Sequence, residues 1–469
     1  MDHKAAARSL FACGVAAVQP EHLHYDVEAF RRQEITLLGS GKAVVGMAKA
    51  LLAQGVRVKE SFLVAPGDIM VTPLEQSPKS YANAKFCSAE GSRADVTIMV
   101  TPLEQSPKSY ANAKFCSAQG SRADEPRLNF LDLMALDVPE LNIFASSHPL
   151  PSARSVEAAE KLMKMISALN EDEVFIYLLS GGTSALVEKP IPPVRLEDFT
   201  AVSEALLQSG ASIDEMNIVR KHLSMIKGGR LAALTKAKGK VFVISDVIGD
   251  DLEAIGSAPL FCDSSTCADA KRVLVQYGLW DSVNTSVRNL LEECSHETPK
   301  VVDPGIVHEV VASNKTALEA IAAEAEKAGY RAKIVTDRLR GDVRDVAKEI
   351  ARIAQFHEAD TPLCLLFGGE TTVQVRGSGK GGRNQELALW VLKAMRGEGR
   401  FTFLSGGTDG RDGMSDAAGA VVDESDLHED IDRYLDNNDS YHYHQKYGTL
   451  ICTGASGTNV MDIMILIKE

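Results

Sequence analysis

Short apolar runs, each followed by a longer stretch with helical spacing of apolar positions, recur along most of this chain. Residues 35–38 form the first run and end in Gly39-Ser40-Gly41-Lys42; residues 43–53 then carry the period of a helix. Residues 156–169 read as an amphipathic helix, and 174–179 as a buried strand ending at Ser180-Gly181-Gly182. Helical patterns over 197–210 and 213–234 lead to a strand at 241–244 that closes on Ser245-Asp246. Further on come a helix at 315–328 and strands at 332–335 and 363–367, the latter ending in Gly368-Gly369-Glu370. A helix at 384–395 and a strand at 401–404 ending in Ser405-Gly406-Gly407 complete the pattern. Short apolar strands alternating with helices of roughly 10–15 residues predict an α/β fold with parallel sheet. The polar stretch 294–304, with two prolines, reads as a linker, so the expected division is 1–300 and 301–469.

One segment departs from this grammar. The sequence IMVTPLEQSPKSYANAKFCSA-x-GSRAD begins at Ile69 and again at Ile98, with Glu90 in the first copy and Gln119 in the second. A solenoid needs at least three copies, usually diverged. Two near-identical copies rich in Ser, Pro, Lys and Ala, spanning 69–124, read instead as a surface insertion with little fold of its own.

Composition narrows the function. A formal charge of −14 over 469 residues argues against general nucleic-acid or anionic-membrane binding, though a small anionic substrate remains open. No apolar run approaches the ~20 residues of a membrane span. The start, Met1-Asp2-His3-Lys4, lacks a signal-peptide pattern, so a cytoplasmic protein is expected. The eight cysteines include no CxxC pair, and a reduced chain without disulfides is expected. His22/His24 and His442/His444 are i, i+2 pairs, which supply no zinc signature.

Ligands in open α/β sheets bind beyond the carboxyl ends of the strands. Three such ends share one motif: Ser180-Gly181-Gly182-Thr183-Ser184, Gly368-Gly369-Glu370-Thr371 and Gly406-Gly407-Thr408-Asp409. Glycines there let backbone N–H groups approach an anion. Gly39-Ser40-Gly41-Lys42 is neither a Walker A loop nor GxGxxG. It does put a lysine at a helix N-terminus, where a cation is unfavourable unless it faces an anion. Arg220, Lys227 and Arg230 fall near one face of the helix expected over 213–234. Gly377-Ser378-Gly379-Lys380-Gly381-Gly382-Arg383 reads as a flexible loop carrying two cations into a helix, with Asn384 as its N-cap. Two acidic clusters, Asp246, Asp250 and Asp251 and then Asp409, Asp412 and Asp416, could hold Mg²⁺, which takes one or two carboxylates plus substrate phosphates, or could cap helices and turns; Asp246 and Asp250 are the expected metal residues. Cations, glycine nests and such carboxylates point to phosphoryl transfer, whose catalysis is mostly positioning and charge neutralisation.

Taken as a set, the motifs resemble the class II glycerate kinase family, whose C-terminal half is the MOFRL domain. The matching segments are GSGKAVVGMA from Gly39, SSHPLP from Ser146, LLSGGTSALVEKPIPPV from Leu178, and GASIDEMNIVRKHLSMIKGGRLA from Gly210. They continue with ISDVIGDDLEAIGSAP from Ile244, GGETTVQVRGSGKGGRNQELAL from Gly368, FLSGGTDGRDGMSDAAGAVV from Phe403, and TGASGTNVMD from Thr453. The resemblance implies a Rossmann-like domain and a mixed-sheet domain with the active site between them. It also implies phosphorylation of D-glycerate by ATP and Mg²⁺, usually to 2-phosphoglycerate. In that family a lysine and an arginine at the positions of Lys42 and Arg383 are the proposed catalytic cations. The expected nucleotide and phosphate contacts are Gly39, Gly41, Ser180, Gly181, Gly182, Ser184, Gly369, Glu370, Lys380, Gly407 and Asp409. Asn217, Arg220 and Lys227 are the expected substrate contacts, and the whole is compatible with a homodimer. The rival expectations are a nicotinamide-dependent hydroxypyruvate reductase and a catalytically silent nucleotide-binding member. The family usually has a third glycine where Thr183 stands, S-G-P-T where Ser257-Ala258-Pro259-Leu260 stands, and Thr in place of Ser456. A turn with φ > 0 would strain Ala258, and Leu260 offers no hydroxyl.

Overall fold

The computed structural model describes residues 2–67, 141–303, 305–356 and 362–468; the duplicated segment 69–124 lies outside them. Two six-stranded sheets organise the chain. The first comprises β1 (Glu34–Ser40), β2 (Arg57–Pro66), β3 (Ile143–Ser146), β4 (Val174–Leu179), β5 (Lys238–Ile244) and β6 (Ile306–Ala312). All its pairings are parallel, in the order β3-β2-β1-β4-β5-β6. This is the doubly wound order whose direction reverses between β1 and β4.

The second sheet is mixed. It contains β7 (Arg331–Asp342), β8 (Leu363–Thr372), β9 (Phe401–Gly407), β10 (Gly419–Asp423), β11 (Leu450–Ile451) and β12 (Asp462–Lys468), in the order β11-β10-β9-β12-β8-β7. Only the β7–β8 pair is parallel. Because β12 runs against both β8 and β9, its first residue, Asp462, stands opposite Gly369 and Gly407.

Alternation along the strands explains the layering, since successive side chains point to opposite faces. Leu37 of β1 enters an apolar cluster shared by both sheets, while Leu38 packs on the other face. The shared cluster also takes Ile176 and Phe242 from the first sheet and Leu366, Leu404 and Ile465 from the second. Helices His3–Ala17, Val44–Ala53 and Asn314–Lys327 contribute Phe11, Leu51 and Ile321 to it. Helices Val343–Gln355 and Arg383–Ala394 cover the outer face of the second sheet. Helices Leu196–Gln208, Ile213–Leu223, Cys267–Gln276 and Thr285–Glu293 build a separate helical core beside the first sheet.

The expected break near residue 300 falls just before β6. β6, through Ala312, still belongs to the first sheet. The N-terminal helix lies on the second, where Phe11 sits against Gly406 and Lys4 pairs with Asp423 and Asp426. The helix expected over 213–234 ends at Leu223, where Ser224 turns extended. The Leu223 carbonyl accepts from the Ile191 N–H, and the Met225 N–H donates to the Lys189 carbonyl, so neighbouring chain takes the place of the next helical turn. β8 and β9 run on through glycines expected to form turns, and Gly39 lies inside β1. The expectation of a fully reduced chain is also corrected: helices Cys267–Gln276 and Thr285–Glu293 bring Cys267 and Cys294 together in a disulfide. Their sequence separation of 27 left no spacing signature.

Candidate active site

The reversal of strand order places the ends of β1 and β4 side by side. The Lys42 N–H donates to the Gly181 carbonyl (2.9 Å), and the Ala43 N–H donates to Ser180 Oγ (3.0 Å). Gly41 has φ +135°, and a Cβ there would lie 2.6 Å from the Ser180 carbonyl oxygen, so only glycine fits. Thr183, at the expected third glycine, begins the short helix Thr183–Leu186 and ties both strands through its hydroxyl, within 2.7 Å of the Ser40 carbonyl and 2.8 Å of the Ser180 carbonyl. Gly39 is an interior strand residue packed against Leu178, which corrects its assignment to a phosphate nest.

Asp246, after β5, leans over this junction: a Cβ on Gly181 would fall 2.1 Å from Asp246 Oδ2. Burial pushes the Asp246 carboxyl upward, the Lys42 charge opposes this, and the negative charge of Asp409 adds to it. Asp409 follows β9 of the second sheet, so the two sheets face one another across the site. Glu370 is likewise raised, first by burial; the Arg383 charge opposes this, while Asp462, Asp246 and Asp409 add to it. Asp250, in the same loop as Asp246, has φ +57°. The neighbouring Gly249 faces the Arg338 guanidinium of β7, a cation absent from the expected set.

Arg383 is fixed by two acids. Its Nε and Nη2 donate to the buried Asp462 carboxylate at 2.6 and 3.0 Å, and Nη1 lies 2.6 Å from Glu370 Oε1. Burial disfavours the guanidinium charge, but the Asp462 and Glu370 carboxylates outweigh it and raise its pKa. Arg383 is the first residue of its helix, and the cap comes from elsewhere, correcting the assignment to Asn384. The buried Asp412 carboxylate accepts from the Asn384 N–H (3.1 Å) and the Gln385 N–H (2.8 Å). Burial pushes Asp412 up to about 6 despite these bonds. The preceding glycines pack closely against the chain near Asn437. Cβ atoms on Gly377 and Gly379 would meet the Asn437 carbonyl at 2.2 and 2.6 Å, so these glycines permit close backbone packing. Lys380 pairs with Asp416 (3.4 Å) and lies over the Tyr441 ring (3.6 Å). Gly369 and Gly407 lie beside Asp462 across the sheet.

Beside the junction is a cavity of about 220 Å³ lined in part by His148, Gly182, Ser184, Phe199, Ser203 and Arg220. Arg220 Nε donates to Ser203 Oγ (3.3 Å), and burial lowers its pKa against the opposing charge of Glu188. Asn217 reaches the cavity wall indirectly: its Oδ1 accepts from Ser257 Oγ (3.1 Å), which lies 3.2 Å from Ser184 Oγ. The turn carrying Ser257 holds Gly256, Ser257 and Ala258 at φ +59°, +61° and +56°. The strain expected at Ala258 is therefore present, and Leu260 is buried in the core rather than facing a ligand. Lys227 does not reach the cavity. It is fully buried, ion-paired with Glu188, and donates to the Ser184 carbonyl (2.9 Å), so the expected substrate contact is corrected to an internal one. Arg230 turns away as well and donates to the Glu297 carbonyl (3.3 Å).

Asp462, Arg338 and His148 were not singled out from sequence. Asp462 had a signal in the apolar run IMILI that follows it, which marks a strand. Asp412 lay in an acidic turn that offered several equivalent carboxylates.

A doubly wound sheet facing a mixed sheet, with a cation and carboxylates from each where they meet, defines a two-sheet α/β protein with a charged cleft. Two family models match the chain: a domain of unknown function (DUF4147) over residues 6–292, and the MOFRL family over residues 363–462. A D-glycerate 2-kinase of Thermotoga maritima is 42% identical over 340 residues, which are 70% of this chain and 80% of that protein. The glycerate kinase of Rattus norvegicus is 37% identical over 375 residues, covering 68% of this chain and 72% of its own. The crystal structure of glycerate kinase from Thermotoga maritima matches with a TM-score of 0.76 at 32% identity, covering 99% of each chain. The chain belongs to the DUF4147–MOFRL family of glycerate 2-kinases. Among the described residues, no helix is long and apolar enough to cross a membrane.

Proposed function

We propose that this protein transfers the γ-phosphoryl group of ATP to a hydroxyl of D-glycerate, with 2-phosphoglycerate the favoured product. The observation that carries the reading is the pairing of Lys42, at the β1–β4 reversal, with Arg383, clamped by Asp462 and Glu370 on the opposite sheet. Phosphoryl transfer spreads charge over the equatorial oxygens, and positioned cations stabilise it there. Ser180, Gly181 and Gly182 would receive phosphate oxygens, and Arg220, in the cavity beyond Gly182, would take the glycerate carboxylate. The hydroxyl oxygen bonds to phosphorus as the bond to ADP breaks, and the hydroxyl proton passes to a cleft carboxylate.

The residues fit a magnesium ion. Asp246 is raised by burial and repelled by Asp409, so the cleft presents carboxylates with more negative charge than Lys42 alone offsets. Asp246, with Asp250 beside it, would hold the ion, which when bound neutralises phosphate charge. The chain's own part is to place these carboxylates and Lys42 at the strand ends of the first sheet.

The test is ADP release from ATP and Mg²⁺ with D-glycerate, with L-glycerate and hydroxypyruvate as controls and the product identified. Turnover confined to D-glycerate is expected. Folded protein that instead oxidises NADH with hydroxypyruvate, or that binds nucleotide without turnover, refutes the reading.

A further inference from the structure

At the edge of the helical core, away from the cleft, four potential metal donors from three segments meet. His222 Nε2, Cys267 Sγ and a Glu297 carboxylate oxygen lie within 4.8 Å of one another. Cys294, the disulfide partner of Cys267, has its Sγ 3.3 Å from Glu297 Oε2. We propose that the reduced Cys267–Cys294 pair, with His222 and Glu297, forms a Zn²⁺ site, and that metal binding and disulfide formation there exclude one another.

The histidine carries the argument. Its side chain is fully buried, and its Nδ1–H donates to the Ile218 carbonyl at 2.8 Å. That bond leaves Nε2 with the lone pair in the neutral ring, and a backbone carbonyl on the far nitrogen is the usual support of a metal-bound imidazole. Yet Nε2 faces acceptors: Glu297 Oε1 at 2.9 Å and Asp263 Oδ2 at 4.0 Å. Nε2 and the Glu297 carboxylate thus converge with the Cys267 sulfur on one point, an arrangement that a bound cation completes.

The donor set suits zinc, which takes four N, S and O ligands at about 2.0–2.3 Å in structural sites. Cys267 is the first residue of its helix, a position that favours thiolate. The Glu297 carboxylate is held in place by the Cys267 N–H at 3.0 Å, the Thr298 N–H at 2.8 Å and the Lys300 ammonium. Two thiolates and one carboxylate carry one charge more than Zn²⁺ neutralises, and Lys300, 3.0 Å from Glu297, matches the excess. Asp263 is already paired with Lys221 at 2.7 Å. Converting one form to the other requires a dithiol or phosphine reductant. Two electrons break the Sγ–Sγ bond, two protons make the thiols, and zinc binding releases both protons.

The experiment compares full-length protein in phosphine-reduced and disulfide forms, titrated with Co²⁺ as a spectroscopic stand-in and with Zn²⁺ in competition. The reduced protein should bind one more equivalent than the oxidised, with thiolate-to-cobalt charge-transfer absorption that Zn²⁺ abolishes. Cys294→Ser, a half-buried position, should lose that equivalent while keeping its circular dichroism, and Glu297→Gln should weaken it at least tenfold. Equal uptake by both redox forms, a Cys294→Ser variant that keeps the equivalent, or reduced folded protein that binds none would each overturn the proposal.

Discussion

Lys227 separates two accounts of the basic segment following residue 213, and its replacement decides between them. If Lys227 contacts glycerate, Lys227→Met raises KM and leaves the fold alone. The structure instead places it fully buried, paired with a Glu188 that is equally buried, with the Ser184 and Val187 carbonyls taking its other protons. Burial lowers the lysine's pKa, and the Glu188 charge opposes that. Removing one member of such a pair strands the other charge and costs about 3–5 kcal/mol. At roughly 2–4 °C per kcal/mol this is a drop of about 10 °C in thermal midpoint. Glu188→Gln should fall by a similar amount, because it strands Lys227. The double change Lys227→Met with Glu188→Leu should recover most of the loss, since apolar replacement of a whole buried pair is often neutral or better. Scanning calorimetry gives the midpoints, and steady-state kinetics at a temperature where every variant is folded gives KM for D-glycerate. A Lys227→Met protein that melts within about 1 °C of the parent while its KM rises tenfold would refute this reasoning and return Lys227 to the substrate.

Further outcomes follow from the cleft. Arg383→Ala should lower kcat by about 10²–10³-fold, the scale seen when a charge-stabilising donor is removed, while circular dichroism stays unchanged; near-normal kcat removes Arg383 from the reaction. Gly181→Ala puts a methyl 2.1 Å from Asp246 Oδ2, a side-chain end that can swing away, so kcat should drop at least tenfold with little change in melting. Gly41→Ala meets the Ser180 backbone at φ +135° and should instead be poorly folded; the contrast is read from activity and melting together. Asp412 rises from 3.8 to about 6 on folding, so the folded state holds its proton where the unfolded chain does not. Its contribution is full below about pH 4 and lost as pH rises through about 6, a swing of about 3 kcal/mol. Denaturant titrations of wild type and Asp412→Asn across that window should diverge accordingly, and a constant difference counts against the shift.

The strand-and-helix alternation was legible because each predicted strand had a purely local signal. Glycine was harder to read. Gly41, Gly181 and Gly182 border the cleft, whereas Gly39, Gly377 and Gly379 serve close packing of backbone, and both uses look alike in sequence. The helix over 213–234 was overextended for a tertiary reason: chain segment 189–191 supplies the hydrogen bonds at Leu223 and Met225, and no residue nearby announces it. Lys227 was misread as a consequence, since its place on a helical face depended on that helix continuing. The Asp462 clamp on Arg383 joins residues separated by 79 positions, which no local pattern records. The Cys267–Cys294 bridge was missed for the same reason.

The division of cations between the sheets has a physical consequence. Lys42 rides on the strand reversal of the first sheet, and Arg383 is held by the second, so neither sheet alone presents both charges to a transferred phosphoryl group. The carboxylates follow the same division: Asp246 belongs to the first sheet, and Glu370, Asp409 and Asp462 to the second. Each of these pairs acts across the cleft as well as within its sheet, as the effect of Asp409 on Asp246 shows. The shared apolar cluster built from helices His3–Ala17, Val44–Ala53 and Asn314–Lys327 is what holds the two halves in register. Loosening that cluster would therefore separate Lys42 from Arg383 and reduce turnover without altering either residue.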